Sequence, residues 1–383
     1  MIGITLGFAV GFVPGFNSNI LSLVLITYGL ISTDYYLAVT AIALEISYSF
    51  FEFLSPMIFR IGNEATSLAI NDYDFTEESF KHGINMVATG GLVGILISLP
   101  LLFFADKIYP LVYNSLKPLI SWILLFLCIY MVWIEKNWKR KIFATMIFCL
   151  SGLVGLLTKN SGFIASEYLL LPIFIGLYGF SSIISKKQRK IDSIQDITWK
   201  EKTRITAIAF ITSVFASLIA GMKRGQTSAL ALQAGKILKR EEVLFILPLI
   251  SLASVTLSLF VLGSTGRIRS TLAYDINEIM GDIYISQTIL FAGTIAISAC
   301  ISVCMLILLA KPLGKMFSRI NEKYLKTFGF CICILLIINF TGIYGILLAF
   351  TTASIGILSS RLGIRSTHLM GVLLLPSIVT MIL

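Results

Sequence analysis

A chain of 383 residues that is 57% hydrophobic and 13% charged, with a mean hydropathy of +0.91, falls outside the composition of soluble domains and reads as a polytopic membrane protein. A formal charge of +10 would suggest nucleic acid in a soluble domain. Here the Lys and Arg sit in short loops between apolar segments, where they report orientation, so no nucleic-acid partner is expected.

About 20 mostly apolar residues cross a bilayer. The first such stretch, roughly 2–30, starts at Ile2 without a basic flank or a following small-residue cleavage site, so no secretory leader is expected. Gly3, Gly7, Gly11 and Gly15 recur in it every four residues, leaving one bare helix stripe for close packing. Pro14 and Gly15 then interrupt the helix, and the polar run Asn17, Ser18, Asn19 follows in mid-segment. The second stretch, 37–59, carries Glu45 and Glu52 seven residues apart, which places them within about 20° of each other on a helix, with Ser49 on the same face. The acidic loop from Asn71 lacks the glycine of a Ca²⁺ loop and reads as solvated.

Further candidate spans cover roughly 84–104, 118–134, 141–157 and 163–184. Between the last two, Ser161 has no evident catalytic partner, and Glu167 takes no assignment. A basic stretch, 186–204, then separates a first membrane half, 1–185, from a second, 205–383. The second half reads as spans at 205–235, 243–262, 285–309, 325–339, 341–358 and 366–383. Its opening segment is also too long for one straight span and is broken by Gly221, Lys223, Arg224, Gly225, Gln226, Thr227 and Ser228.

The halves match across the divide. Gly15 and Gly29 stand in the same relation as Gly221 and Gly235, an offset of 206, which sets Asn17, Ser18 and Asn19 opposite Lys223, Arg224 and Gly225. The stretches from Gly152 and from Gly356 have equal length and both end in Leu-Leu-Leu-Pro. If every segment crosses, the basic residues show hardly any sidedness. If 2–30 and 205–235 are hairpins that turn back within the bilayer, 23 of the 30 Lys and Arg fall on the cytoplasmic side. The expected fold is therefore all-α: two inverted repeats, each of about five transmembrane helices plus one re-entrant helical hairpin, the build of secondary transporters.

Backbone outside a helix survives at membrane depth only where it lines a protein cavity. The two tips are thus expected to face each other around a pocket, with freed amides and hydroxyls oriented toward an anion. Lys223 and Arg224 would each cost about 2.5–3.5 kcal/mol against lipid, so an anionic substrate or an internal carboxylate must offset them. Glu45 and Glu52 could supply that carboxylate, or bind H⁺ or Na⁺ as a coupling ion. No other cofactor is expected. With only His82 and His368 in the chain, a histidine metal site is not expected, and no hydrolase, P-loop or dinucleotide fingerprint occurs. The six cysteines lie inside apolar segments without a CxxC pair and read as small buried hydrophobes.

Three islands, 7–19 around Pro14-Gly15, 216–235 and 362–376, resemble the two glycine-rich loops and the C-terminal signature of the TctA-like permeases, the membrane component of tripartite tricarboxylate transporters, in particular its shorter archaeal branch. The resemblance implies a multi-pass plasma-membrane permease whose two loops bind substrate: Pro14, Gly15, Asn17, Ser18 and Asn19 in the first, and Gly221, Gly225, Gln226, Thr227 and Ser228 in the second. It also raises a small membrane subunit and an extracytoplasmic binding protein as partners. Two departures, Asn17 in place of a frequent histidine and Lys223-Arg224 in a usually neutral turn, bear on substrate identity. The leading expectation is a secondary transporter, not an enzyme, that moves a small organic anion of the carboxylate class by alternating access. The alternatives are a carrier of a phosphate-bearing lipid such as a polyprenyl phosphate, and an intramembrane enzyme acting on lipid. A homo-oligomer is compatible with the sequence, which is silent on oligomeric state.

Overall fold

The computed structural model describes residues 1–13, 34–59, 61, 62, 66, 68, 76–104, 120–133, 135, 137–159, 162, 164, 168–181, 197–218, 224–237, 239–281, 285–320 and 322–382. All regular structure among them is helical, and six helices are long and apolar enough to cross a membrane. Helix α1 (Ile2–Phe12) lies along α2 (Asp34–Phe51) through the expected glycine stripe. A Cβ on Gly7 would come within 2.6 Å of the Leu44 carbonyl oxygen, and one on Gly11 within 2.7 Å of the Phe51 Cβ. Ser47 Oγ donates to the Ile4 carbonyl at 3.0 Å in the same seam. Such close backbones gain dispersion contacts that a side chain would block.

After the short α3 (Leu54–Phe59), α4 (Glu77–Ser98) starts at a capping box in which Thr76 and Ser79 each satisfy the other's backbone N–H, with Glu77 and Glu78 favourably placed at the dipole's positive end. The carboxylates closing the acidic loop thus belong to a helix start. Beyond Ser98 the helix tightens into a 3₁₀ turn, Leu99–Phe104, where Pro100 removes a backbone donor. Helices α5 (Ile120–Trp133) and α6 (Trp138–Lys159) follow, then α7 (Leu170–Phe174), which widens into a π-helical turn at Ile175–Phe180.

The second half opens with α8 (Trp199–Leu218), so the end of the basic stretch is already helical, with Glu201 bonded back to the Thr198 N–H. Then come α9 (Arg224–Ala234), α10 (Arg240–Thr265), α11 (Thr271–Met280), α12 (Ile285–Ser318) and α13 (Glu322–Leu362). Within α13 two helices meet at Gly342, whose φ of 63° and ψ of −156° break the helical path just inside the expected span 341–358. A 3₁₀ turn, Ser366–Met370, leads into α14 (Gly371–Ile382).

Helix α10 is the axis of the molecule: 89% of its membrane window is buried, against 17% for α13, which forms outer surface. It packs on α4, where Cβ atoms at Gly90 and Gly94 would run into the Phe245 and Leu249 carbonyls, while α12 packs on α2. At the far side α14 lies on α6 through Gly152, Gly155 and Gly371, and α13 lies on the turn after α7 through Gly176. Each half therefore packs on the other through the same two kinds of seam.

Four cysteines depart from expectation: Cys149, Cys300, Cys304 and Cys331 are exposed, while Cys128 and Cys333 are buried. Apolar sequence marks a helix for a dry environment without saying whether lipid or protein supplies it.

Candidate functional site

Helix α2 brings Glu45, Tyr48 and Ser49 to one face, and Glu52 continues that face one residue beyond its end. Both carboxylates are buried, with 4% of Glu45 and 2% of Glu52 exposed. The cation that meets them is Arg224, the first residue of α9. Its Nη2 lies 3.0 Å from Glu45 Oε1, and its Nη1 donates to Ser49 Oγ at 3.0 Å and to Ser251 Oγ of α10 at 3.3 Å. Ser251 Oγ donates in turn to Glu52 Oε1 at 3.2 Å, and the guanidinium sits 5.7 Å from the centre of the Tyr48 ring. A chain of polar contacts, Glu45–Arg224–Ser251–Glu52, thus joins three helices from both halves of the protein.

Elementary electrostatics explains why it holds. Guanidinium stays charged in a dry interior and its fork engages several acceptors at once. A buried carboxylate needs such a partner or a proton. Helix α9 is described from Arg224 to Ala234, with Arg224 at its described start. Its described part and α1 are each about 16 Å long.

Of the residues singled out in the sequence, Glu45, Glu52 and Arg224 are brought together, with Ser49 on the expected face. Gly225, Gln226, Thr227 and Ser228, expected within the break of this segment, are instead helical and buried along α9, because the run Gly225–Ala234 satisfies its backbone within the helix. Gln226 Nε2 reaches Ser377 Oγ of α14 at 3.4 Å, one residue beyond the third sequence island. Pro14, Gly15, Asn17, Ser18, Asn19, Gly221 and Lys223 lie outside the described residues. Ser251 and Tyr48 went unnoticed in the sequence, although Ser251 stands at the repeat offset of 206 from Glu45 and could have been found by it.

The other end of α9 meets a second buried polar cluster that sequence reading also missed. His368 Nε2 lies 3.1 Å from Glu135 Oε1, with Arg365 Nε 3.6 Å from the same oxygen. Thr367 Oγ1 donates to Gln233 Oε1 at 3.0 Å, and Gln233 Nε2 donates to the Met131 carbonyl at 2.9 Å. The hydrogen bond to His368, with the charges of Arg365 and Arg140, holds the Glu135 carboxyl below its ordinary value. Among the described residues no three His, Cys, Asp or Glu side chains gather as metal ligands.

Comparison with known proteins fits this arrangement. The uncharacterized protein MJ1079 of Methanocaldococcus jannaschii is 25% identical over 403 residues, an alignment that takes in 99% of this chain and 97% of that protein. No solved structure matches the chain. The profile of one family covers residues 1–371 and so takes in all three islands up to the start of α14. This multi-pass membrane protein belongs to the tripartite tricarboxylate transporter TctA family.

Proposed function

We propose that the chain is the permease of a tripartite carrier: a secondary transporter that moves a small organic anion of the carboxylate class by alternating access, with no bond-making chemistry of its own. The observation that carries this reading is the contact between Arg224 and Glu45, which joins α9 to α2. A carboxylate substrate presents the functional group that Glu45 already presents, so the two compete for one guanidinium. The competition also supplies a coupling logic. The described cluster holds two carboxylates and one cation, and a further anion in that dry surrounding adds repulsion. A proton or Na⁺ taken up at Glu45 or Glu52 offsets it and frees Arg224, so cation and anion bind together.

In this reading α1 and α9 are halves of two re-entrant hairpins, and the tip residues Pro14, Gly15, Asn17, Ser18, Asn19, Gly221 and Lys223 complete the pocket with Gly225 to Ser228. Support comes from the end of α1 at Phe12, ahead of Pro14, and from the reciprocal seams, α10 on α4 with α2 on α12, and α6 on α14 with the turn after α7 on α13. These are the exchanges expected of two inverted repeats that rock against each other. As the family's name implies, a small membrane subunit and an extracytoplasmic binding protein are the expected partners, at the plasma membrane.

Reconstituted vesicles given labelled di- and tricarboxylates under an imposed H⁺ or Na⁺ gradient test the reading. Uptake should require the gradient and fall to background in Arg224→Ala. Vesicles that accumulate no carboxylate under either gradient, with or without added partner subunits, would sink it.

A further inference from the structure

Helix α9 has Arg224 at one end and, about 16 Å away, the Glu135–His368 cluster at the other. The permease reading uses the first end only. At the second, His368 is fully buried, the Glu135 side chain is 4% exposed, and His368 Nδ1 is a buried nitrogen with no hydrogen-bond partner among the described residues. We propose that Glu135 and His368 form a proton-binding site whose occupancy is read by α9 through the hydrogen bond between Thr367 and Gln233.

The argument begins with the ring's two nitrogens. Neutral imidazole has one N–H and one lone pair, and an ionised Glu135 at 3.1 Å selects the tautomer with the proton on Nε2. Nδ1 then keeps its lone pair in a dry pocket. A second proton changes the balance there. It turns Nδ1 into a buried donor without an acceptor, and it adds a positive charge to a cluster that Arg365 already neutralises. The charged groups facing the pair are Glu135 from the α5–α6 connection, Arg140 from α6 and Arg365 from the segment of His368 itself. The other elements present only uncharged groups in the bonds they make here: Gln233 from α9, the Met131 carbonyl from α5, Ser151 from α6, whose Oγ donates to the His368 carbonyl at 3.4 Å, and the titratable Tyr178 from the turn after α7, whose OH donates to the Ser366 carbonyl at 3.2 Å. The proton is accommodated when the turn Ser366–Met370 shifts to give Nδ1–H an acceptor or water. Thr367, next in the chain, moves with it and lets go of Gln233. Acidification therefore loosens α9 from the end opposite Arg224.

This inference rests on the permease reading only for its consequence, because Arg224 is the residue that α9 would carry; the site and its readout stand without it. The test uses the full chain in lipid nanodiscs. Histidine labelled with ¹⁵N gives two sets of ring signals, from His82 and His368, which His82→Gln assigns. Between pH 8.5 and pH 5, the His368 ring signals should report proton uptake at Nδ1, and Glu135→Gln should alter that response. In parallel, amide hydrogen exchange of residues 224–237, corrected for the intrinsic rate, should rise about fivefold or more on acidification. His368→Gln should abolish the rise. Thr367→Val should abolish it while leaving the His368 signals intact. A His368 spectrum unchanged across this range, an α9 response that persists in His368→Gln, or one that persists in Thr367→Val would overturn the proposal. Vesicles without uptake but with the full α9 response would refute the permease reading and leave the proton site standing.

Discussion

Arg224→Ala is the most informative perturbation. It removes the only described cation in contact with Glu45 and leaves two carboxylates, Glu45 and Glu52, in a buried cluster. The N···O distance of 3.0 Å puts the charge centres about 4 Å apart, which at an effective dielectric of 20 corresponds to about 4 kcal/mol. The general cost of breaking a buried pair from one side, about 3–5 kcal/mol, agrees. Loss of the hydrogen bonds that Arg224 donates to Ser49 and Ser251 is counted within the same figure. With an unfolding entropy of about 2.1 cal/mol/K per residue, 4 kcal/mol corresponds to a fall in Tm of about 5 °C for a chain of this length. Thermal unfolding of purified protein reads it directly. The decisive comparison is Arg224→Ala/Glu45→Gln, which removes the orphaned charge together with its partner and should recover at least about half of the loss. A single variant as stable as wild type, or a double variant that loses the sum of the two single effects, would refute the view that this pair is buried and mutually dependent.

Three further outcomes follow from the packing and the second cluster. Gly7→Ala forces a Cβ to within 2.6 Å of the Leu44 carbonyl and should cost about 1–3 kcal/mol, whereas Gly293→Ala, with open space at its Cβ, should be neutral or slightly stabilising; Tm in the same detergent separates them. Gly342→Ala also meets open space, but a φ of 63° with a ψ of −156° is nearly closed to side chains, so a loss of about 1–3 kcal/mol is expected from backbone strain alone. The Glu135 carboxyl is held below its ordinary value of 4.5, by the His368 hydrogen bond first and the Arg365 and Arg140 charges next. A depressed carboxylate contributes fully above its unfolded value and loses that contribution as pH falls through its folded one, so wild-type Tm should drop more steeply below pH 4.5 than that of Glu135→Gln, and parallel curves would contradict the pairing.

Particular residues mark how far the sequence could be read. Gly342 separates two helices just inside the expected span 341–358, because a break in a long apolar run needs only a local signal. Glu45, Ser49 and Glu52 share a face because helical periodicity alone dictates it. The capping box at Thr76 was equally local, yet its Glu77 and Glu78 passed for loop charges, since a capping residue is distinguished from a solvated one only by the helix that follows. The exposed cysteines were misplaced for a different reason: lipid and protein core impose the same hydropathy. Ser251 hid in an apolar run, visible only by carrying Glu45 across the repeat offset.

By itself, then, the sequence determined the environment and the local geometry: an all-helical chain for the membrane, the glycine stripe that joins α1 to α2 and a pair of carboxylates on one face. Hydropathy, helical period and missing side chains act between near neighbours, so they are written in consecutive residues. Tertiary structure decided the partners. Whether Arg224 would meet Glu45 or Glu52, and that Glu135 would meet a histidine 233 positions away, depends on which helix faces are pressed together. Charges at such separation in the chain influence each other only once packing has removed the water between them.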